Sequence, residues 1–197
     1  WYHLVVGVDM TQSTAEDRVK IYVNGVHLVT GSTNWTSAGF GFPEVPALNS
    51  VMTSMNQNGQ LNAIGAGIST SINYGYFDGY IANVIMLDGI TTDCTAFGEF
   101  KEGIWIPKEY EGSFGSNGYH LDFADSSALG NDVSGNNNDW TASGLAATDV
   151  VSDTPENNFS TLNSLKVNSQ TQTFAQGNLD FSSTQTSTNP AVTGTFA

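Results

Sequence analysis

The dipeptide Asn24-Gly25 constrains this chain more than any other feature, because it stands between two runs with the signature of β-strands. Arg18 to Val23 sets Val19, Ile21 and Val23 against Arg18, Lys20 and Tyr22, the period of two of a strand with one buried face. Asn-Gly tolerates positive φ at both central positions of a type I′ turn, whose twist matches the strands it joins. Val26 to Val29 then carries the chain back. Arg18–Val29 therefore predicts a tight antiparallel hairpin.

The rest of the chain reads as more strand and turn. Trp1–Asp9 places Tyr2, Leu4, Val6 and Val8 on one face and Trp1, His3 and Val5 on the other. With both faces largely apolar, it is expected to lie centrally in a sheet. His3 and His27 fall inside strand patterns and read as packed sheet histidines. Leu61–Ile68, Tyr76–Asp88 and Tyr119–Phe123 are the further strand segments. Thr91–Phe97 reads as a short helical segment, with a threonine N-cap and Gly98 as its stop. Within it, Cys94 has no basic neighbour in sequence to activate it and is expected to be a buried structural thiol.

Composition narrows the function. Five Lys and Arg stand against 19 Asp and Glu in 197 residues, a net charge of −14. This argues against nucleic acid and anionic membrane surfaces as partners, since phosphate contact needs clustered cations. Divalent cations, neutral glycans and simple solubility remain compatible. One cysteine rules out an intrachain disulfide framework. No apolar run approaches the ~20 residues of a membrane span. The scarcity of charged residues and the wealth of Gly, Ser, Thr and Asn fit a secreted or virion β-protein. The chain opens on Trp1 and not on methionine, so it is expected to be a fragment of a longer protein.

Three pieces in order, the Trp-x-His of WYHLVVGVD, the hairpin VKIYVNGV and the strand YFDGYIANVIMLDG, resemble the later half of a laminin-G-like or pentraxin-like domain. Such domains belong to the concanavalin A-like lectin/glucanase superfamily. Downstream, FGEFKEGIWIPKEYEGSFGSNGYHLDF, NDVSGNNNDW and SDTPENNF resemble segments of structural proteins of tailed, especially marine, bacteriophages, and the tail from Phe159 is similar to the lead-in to a SPRY-like module. The resemblance implies an all-β, jelly-roll-like antiparallel sandwich with an irregular C-terminal arm. Residues 1–90 would form the later half of the sandwich. Residues 91–148 would form an aromatic- and Asn-rich extension that completes it or begins the next module. Residues 149–197 would be a Ser-, Thr- and Asn-rich linker, with Asn178–Phe181 its one strand-like piece. Because the family's opening strands are missing ahead of Trp1, upstream chain, the segment Leu121–Trp140 or a neighbouring subunit is expected to close the sheet.

The resemblance also orders the functions. First stands a non-enzymatic virion protein in a tail fibre, tail-associated or capsid-surface position, recognising host-surface glycans. Second stands a module that only packs against other virion subunits, in a homo-oligomer. A polysaccharide depolymerase ranks third. For glycans, Trp35, Phe40 and Phe42 in the long stretch Thr30–Asn58 offer rings to stack on a sugar, or else pin that loop to the sandwich. Superfamily hydrolases carry closely spaced carboxylates on one strand face. Glu99/Glu102, Glu109/Glu111, Asp122/Asp125 and Glu16/Asp17 lack that spacing. Calcium is the cofactor the resemblance brings in, with Asp122, Asp125, Asp132 and Asp139 as its candidate ligands. Asp and Asn also populate turns for local reasons, by bonding their own backbone.

Overall fold

A computed structural model describes residues 1–28, 46–51, 61–68, 73–156, 162–167, 172–175, 180–183 and 192–194. Among them the protein is all-β: its regular elements are short strands and three single 3-10 turns, without an α-helix. The chain divides into two compact units. One comprises Trp1–Gly79 and Leu87–Asn117, the other Tyr80–Met86 and Gly118–Ala197.

The first unit is built on a three-stranded antiparallel sheet of β1 (Leu4–Val8), β2 (Val19–Val23) and β3 (Val26–His27), in that order. Asn24 and Gly25 have φ of 48° and 75°, so the Asn-Gly turn forms as the sequence requires. Leu4 pairs with Val23, Val6 with Ile21 and Val8 with Val19, while Val23 pairs in turn with Val26. Paired residues share a face, so Leu4, Val6, Val8, Val19, Ile21, Val23 and Val26 line one side of the sheet. β2 is the central strand and supplies the core residues Ile21 and Tyr22. β1, expected in the centre, is an edge strand, and among the described residues no strand lies on its free side.

The loop from β1 to β2 is gathered by Arg18, which is buried. Its guanidinium donates to the carbonyls of Gln12 (2.9 Å), Ser13 (3.1 Å) and Pro46 (2.9 Å), so one planar fork ties two chain segments. A short pair, β4 (Gly67–Ile68) with β5 (Asn73–Tyr74), follows. The strand expected over Leu61–Ile68 shrinks to its last two residues because Gly65 takes φ of 81° and bends the run.

The segment expected to be helical, Thr91–Phe97, contains one 3-10 turn, Cys94–Ala96. Its cap is Asp93 and not a threonine: the carboxylate accepts from the Thr95 N–H. A second tight hairpin follows, β7 (Gly98–Lys101) with β8 (Ile104–Pro107), turning on Glu102 and Gly103 with φ of 52° and 83°.

In the second unit β6 (Val84–Met86) pairs with β9 (Tyr119–Leu121). The segment Leu121–Trp140 thus begins in a ladder with Val84. β6 is all that forms of the strand expected over Tyr76–Asp88. The chain bends at Gly79, and Tyr76, Phe77 and Tyr80 are exposed. Among the described residues of this unit the buried hydrophobic ones are Leu121, 1% exposed, and Leu129. The tail is richer in strands than its sequence suggests. β10 (Leu162–Val167) pairs with β13 (Val192–Gly194), and β11 (Gln172–Ala175) with β12 (Asp180–Ser183).

Candidate functional site

Among the described residues two constellations bring chemistry-bearing side chains together, one in each unit. The first centres on Trp105 of β8. Its indole lies against Gly25 at the tip of the first hairpin and against Gly98 at the start of β7, where a Cβ at either position would enter the ring. Phe100, its cross-strand partner, meets it edge-on at 5.0 Å between centroids. The indole Nε1–H donates to Nδ1 of His3 at 2.9 Å, with the two rings 27° from parallel. His3 is itself fixed by the turn: its N–H donates to Asn24 Oδ1, and the Asn24 N–H donates to its carbonyl, both at 2.8 Å. Since Nδ1 accepts, the imidazole is neutral with its proton on Nε2. Burial lowers the His3 pKa below the usual histidine value.

Beside this turn lies Cys94, buried and unbridged, as expected from the sequence. Its thiol contacts the Gly25 carbonyl and the Asp93 carboxylate. Burial pushes the thiol pKa up, and the neighbouring Asp93 adds to this, so the sulfur is held as a thiol and not as a nucleophilic thiolate. The Tyr22 hydroxyl is pushed up by burial and by the same carboxylate, to which it donates at 3.4 Å. His27 is exposed, its ring 4.9 Å from that of Tyr22.

The second constellation is the Asp-Val-Ser-Gly-Asn loop after β9. Asp132 is 6% exposed, and its carboxylate is surrounded by donors. Oδ1 accepts from the backbone N–H of His120 (2.8 Å) and Ser134 (2.9 Å); Oδ2 accepts from the Ser134 hydroxyl and the Asn138 N–H, both at 2.9 Å. Burial alone would raise the pKa of this carboxyl. The hydrogen bonds from His120, Ser134 and Asn138 outweigh burial and hold it below the usual range. The amides of Asn136 and Asn138 donate to the Gly118 carbonyl, and Trp140 N–H donates to Gly130 O at 2.7 Å. The Asn-rich loop is thereby folded back onto β9.

The four aspartates put forward as calcium ligands are not gathered into one donor set. Asp139 Oδ1 accepts from the Asp132 N–H, Asp125 Oδ1 from the N–H and hydroxyl of Ser127, and Asp122 Oδ1 from the Ala124 N–H. Among the described residues no group of three or more His, Cys, Asp or Glu is placed to hold a metal ion. Calcium needs six to eight oxygens, and the two oxygens of Asp132 are already spent on four protein donors. The residues present do not fit a calcium site; these aspartates order turns.

Trp35, Phe40 and Phe42, the expected sugar-stacking rings, lie outside the described residues. Of the carboxylate pairs, Glu99, Glu102, Glu109 and Glu111 are exposed, and Asp17 pairs with Lys20 at 3.2 Å. The surface feature that sequence reasoning missed is the aliphatic face of β1–β3: Leu4, Val6 and Val26 are 59%, 54% and 57% exposed. Strict alternation told which residues share that face but not that β1 would be an edge. The His3–Trp105 bond spans 102 positions and leaves no local signal.

Comparison of the chain with protein-family models, with curated proteins and with solved structures gave no match.

Proposed function

We propose that this chain is a non-enzymatic structural module of a bacteriophage virion, in a tail-fibre, tail-associated or capsid-surface position. Its fold would be a jelly-roll-like sandwich of the concanavalin A-like, laminin-G-like kind. The sequence support is the ordered set of Trp-x-His, Tyr-Val-Asn-Gly and Phe-Asp-Gly-Tyr-Ile pieces, on a chain whose described residues are all-β. The observation that carries the reading is the exposed aliphatic face of Leu4, Val6 and Val26. Apolar surface of this kind gains roughly 25 cal/mol for each Å² removed from water. Neighbouring subunits of a particle supply such a cover.

Two roles follow within the virion. Recognition of host-surface glycans rests on the resemblance and on Trp35, Phe40 and Phe42. Subunit packing rests on the exposed sheet face, and it is the role the geometry favours. Mass spectrometry of purified particles from the native source should find peptides of this chain; their absence from particles would overturn the virion reading. A glycan array then separates the roles. Binding that Trp35→Ala abolishes would establish the lectin role. An array without binding, together with an oligomer that Val6→Lys dissociates, would establish packing.

A further inference from the structure

We propose that the His3–Trp105 pair is a proton-operated latch that fastens the N-terminal strand to the β7–β8 hairpin. The argument starts from the indole, which has one polar atom, the Nε1–H, and cannot accept a hydrogen bond. Trp105 is seated against Gly25 and Gly98, so its ring is held beside that of His3, the planes 27° apart, and the N–H meets Nδ1 at 2.9 Å. The imidazole is equally constrained, because paired bonds between His3 and Asn24 fix its backbone against the turn. The indole cannot leave its seat without disturbing a hairpin, and the His3 backbone is held against the turn of the other. The bond therefore depends on one chemical condition, an unprotonated Nδ1.

Protonation places an N–H on Nδ1. Two donors then face each other, and a cation is brought into a half-buried site. The titratable groups on the elements that meet here are Tyr2 and Asp9 around β1, and Lys20, Tyr22 and His27 on β2–β3. Asp93 and Cys94 belong to the 3-10 turn, and Glu99, Lys101 and Glu102 to β7–β8. None of them contributes to the proton affinity of His3, which is lowered by burial alone. Among the described residues no carboxylate is hydrogen-bonded to the imidazole, so none of them holds the protonated state closed. The sign follows from linkage. With the folded pKa below the unfolded one, the latch is fully closed above about pH 6.5 and is lost as pH falls through the folded value.

The test is an NMR titration of the indole Nε1–H resonances in 15N-labelled protein between pH 4.5 and 8, with Trp105→Phe assigning the Trp105 signal. The Trp105 resonance should move with a single midpoint below pH 6.5. In His3→Gln, whose side-chain carbonyl accepts without titrating, it should stay fixed. Exchange of that proton with water at the acid end should be faster in the native protein than in His3→Gln. The ratio is up to about tenfold for each unit by which the midpoint lies below the free value. A resonance that does not move, or that moves equally in His3→Gln, would overturn the latch. Should His3→Gln fail to fold, the imidazole of His3 is titrated directly in the native protein. Its midpoint must coincide with that of the Trp105 indole, and two different midpoints would overturn the proposal as well.

Discussion

At the scale of single residues, Gly25 and Gly7 make opposite predictions from the same substitution. Gly25→Ala meets both a left-handed backbone at φ 75° and the face of the Trp105 ring. The backbone term is about 1–2 kcal/mol, and overpacking adds about 1–3 kcal/mol. A Cβ on Gly7, in the middle of β1, meets nothing within 4 Å. Gly7→Ala should therefore be neutral or stabilising by up to about 1 kcal/mol, since it removes freedom from the unfolded chain. Urea denaturation of both variants checks the contrast. Asp132 supplies the second prediction. Its carboxyl is held below the ordinary range, so its stabilising contribution is complete above about pH 4 and fades as pH falls through the folded value. Asp132→Ala strands four donors and should cost about 3 kcal/mol at neutral pH. Asp132→Asn should flatten the acid limb of the stability curve below about pH 4, which a pH series of melting curves would read directly.

At the scale of elements, Arg18 shows how one side chain can define a loop. Its fork reaches carbonyls in two segments, so Arg18→Ala should lower stability by about 2–3 kcal/mol. Arg18→Lys should recover little of that, because a single ammonium cannot present the same spread of donors. The elements differed in how visible they were beforehand. The β2–β3 hairpin and β9 could be read from alternation and turn chemistry, because both are local. The β7–β8 hairpin escaped notice since its turn is Glu102-Gly103, and glutamate is a poor signal for positive φ. The apolar run Tyr76–Asp88 promised a long strand, but apolar residues report burial only when a partner strand is present, and β9 covers just Val84–Met86. In the tail, hydrophobic thinning hid one hairpin, β11–β12, and the long-range pair β10–β13. Beyond the strand-like piece Asn178–Phe181, which overlaps β12, a usable clue was the pair Phe174 and Phe181, which face each other across β11 and β12 with ring centroids 5.6 Å apart.

At the scale of the whole molecule, the balance of −14 and the turn-making use of aspartate lead to one prediction. Removing divalent cations with a chelator should leave the melting temperature unchanged within error, and calorimetry with added calcium should show no binding heat. A drop of several degrees on chelation would mean that donors outside those hydrogen bonds form a site. The candidate site divides in the same way as the fold. The Asp- and Asn-rich character of residues 131–139 was plain in the sequence. Whether those oxygens would face a cation or their own backbone was not, because that depends on how the loop lies over β9. Likewise the Trp1-x-His3 pair was visible only as part of a strand, while its partner Trp105 belongs to a distant hairpin.

The seat of Trp105 between two glycines also sets an order in time. Each of the two hairpins closes across a two-residue turn and can form within microseconds of the chain's release. The indole must instead find its place across most of the first unit, 102 positions from His3, and the entropy of that long closure has to be met before the contact repays it. Trp105, carried with Gly98 in its own hairpin, is thus expected to meet Gly25 late. Filling that seat with a methyl group at Gly25 would leave the early hairpins to form as before and close the door only on the last step.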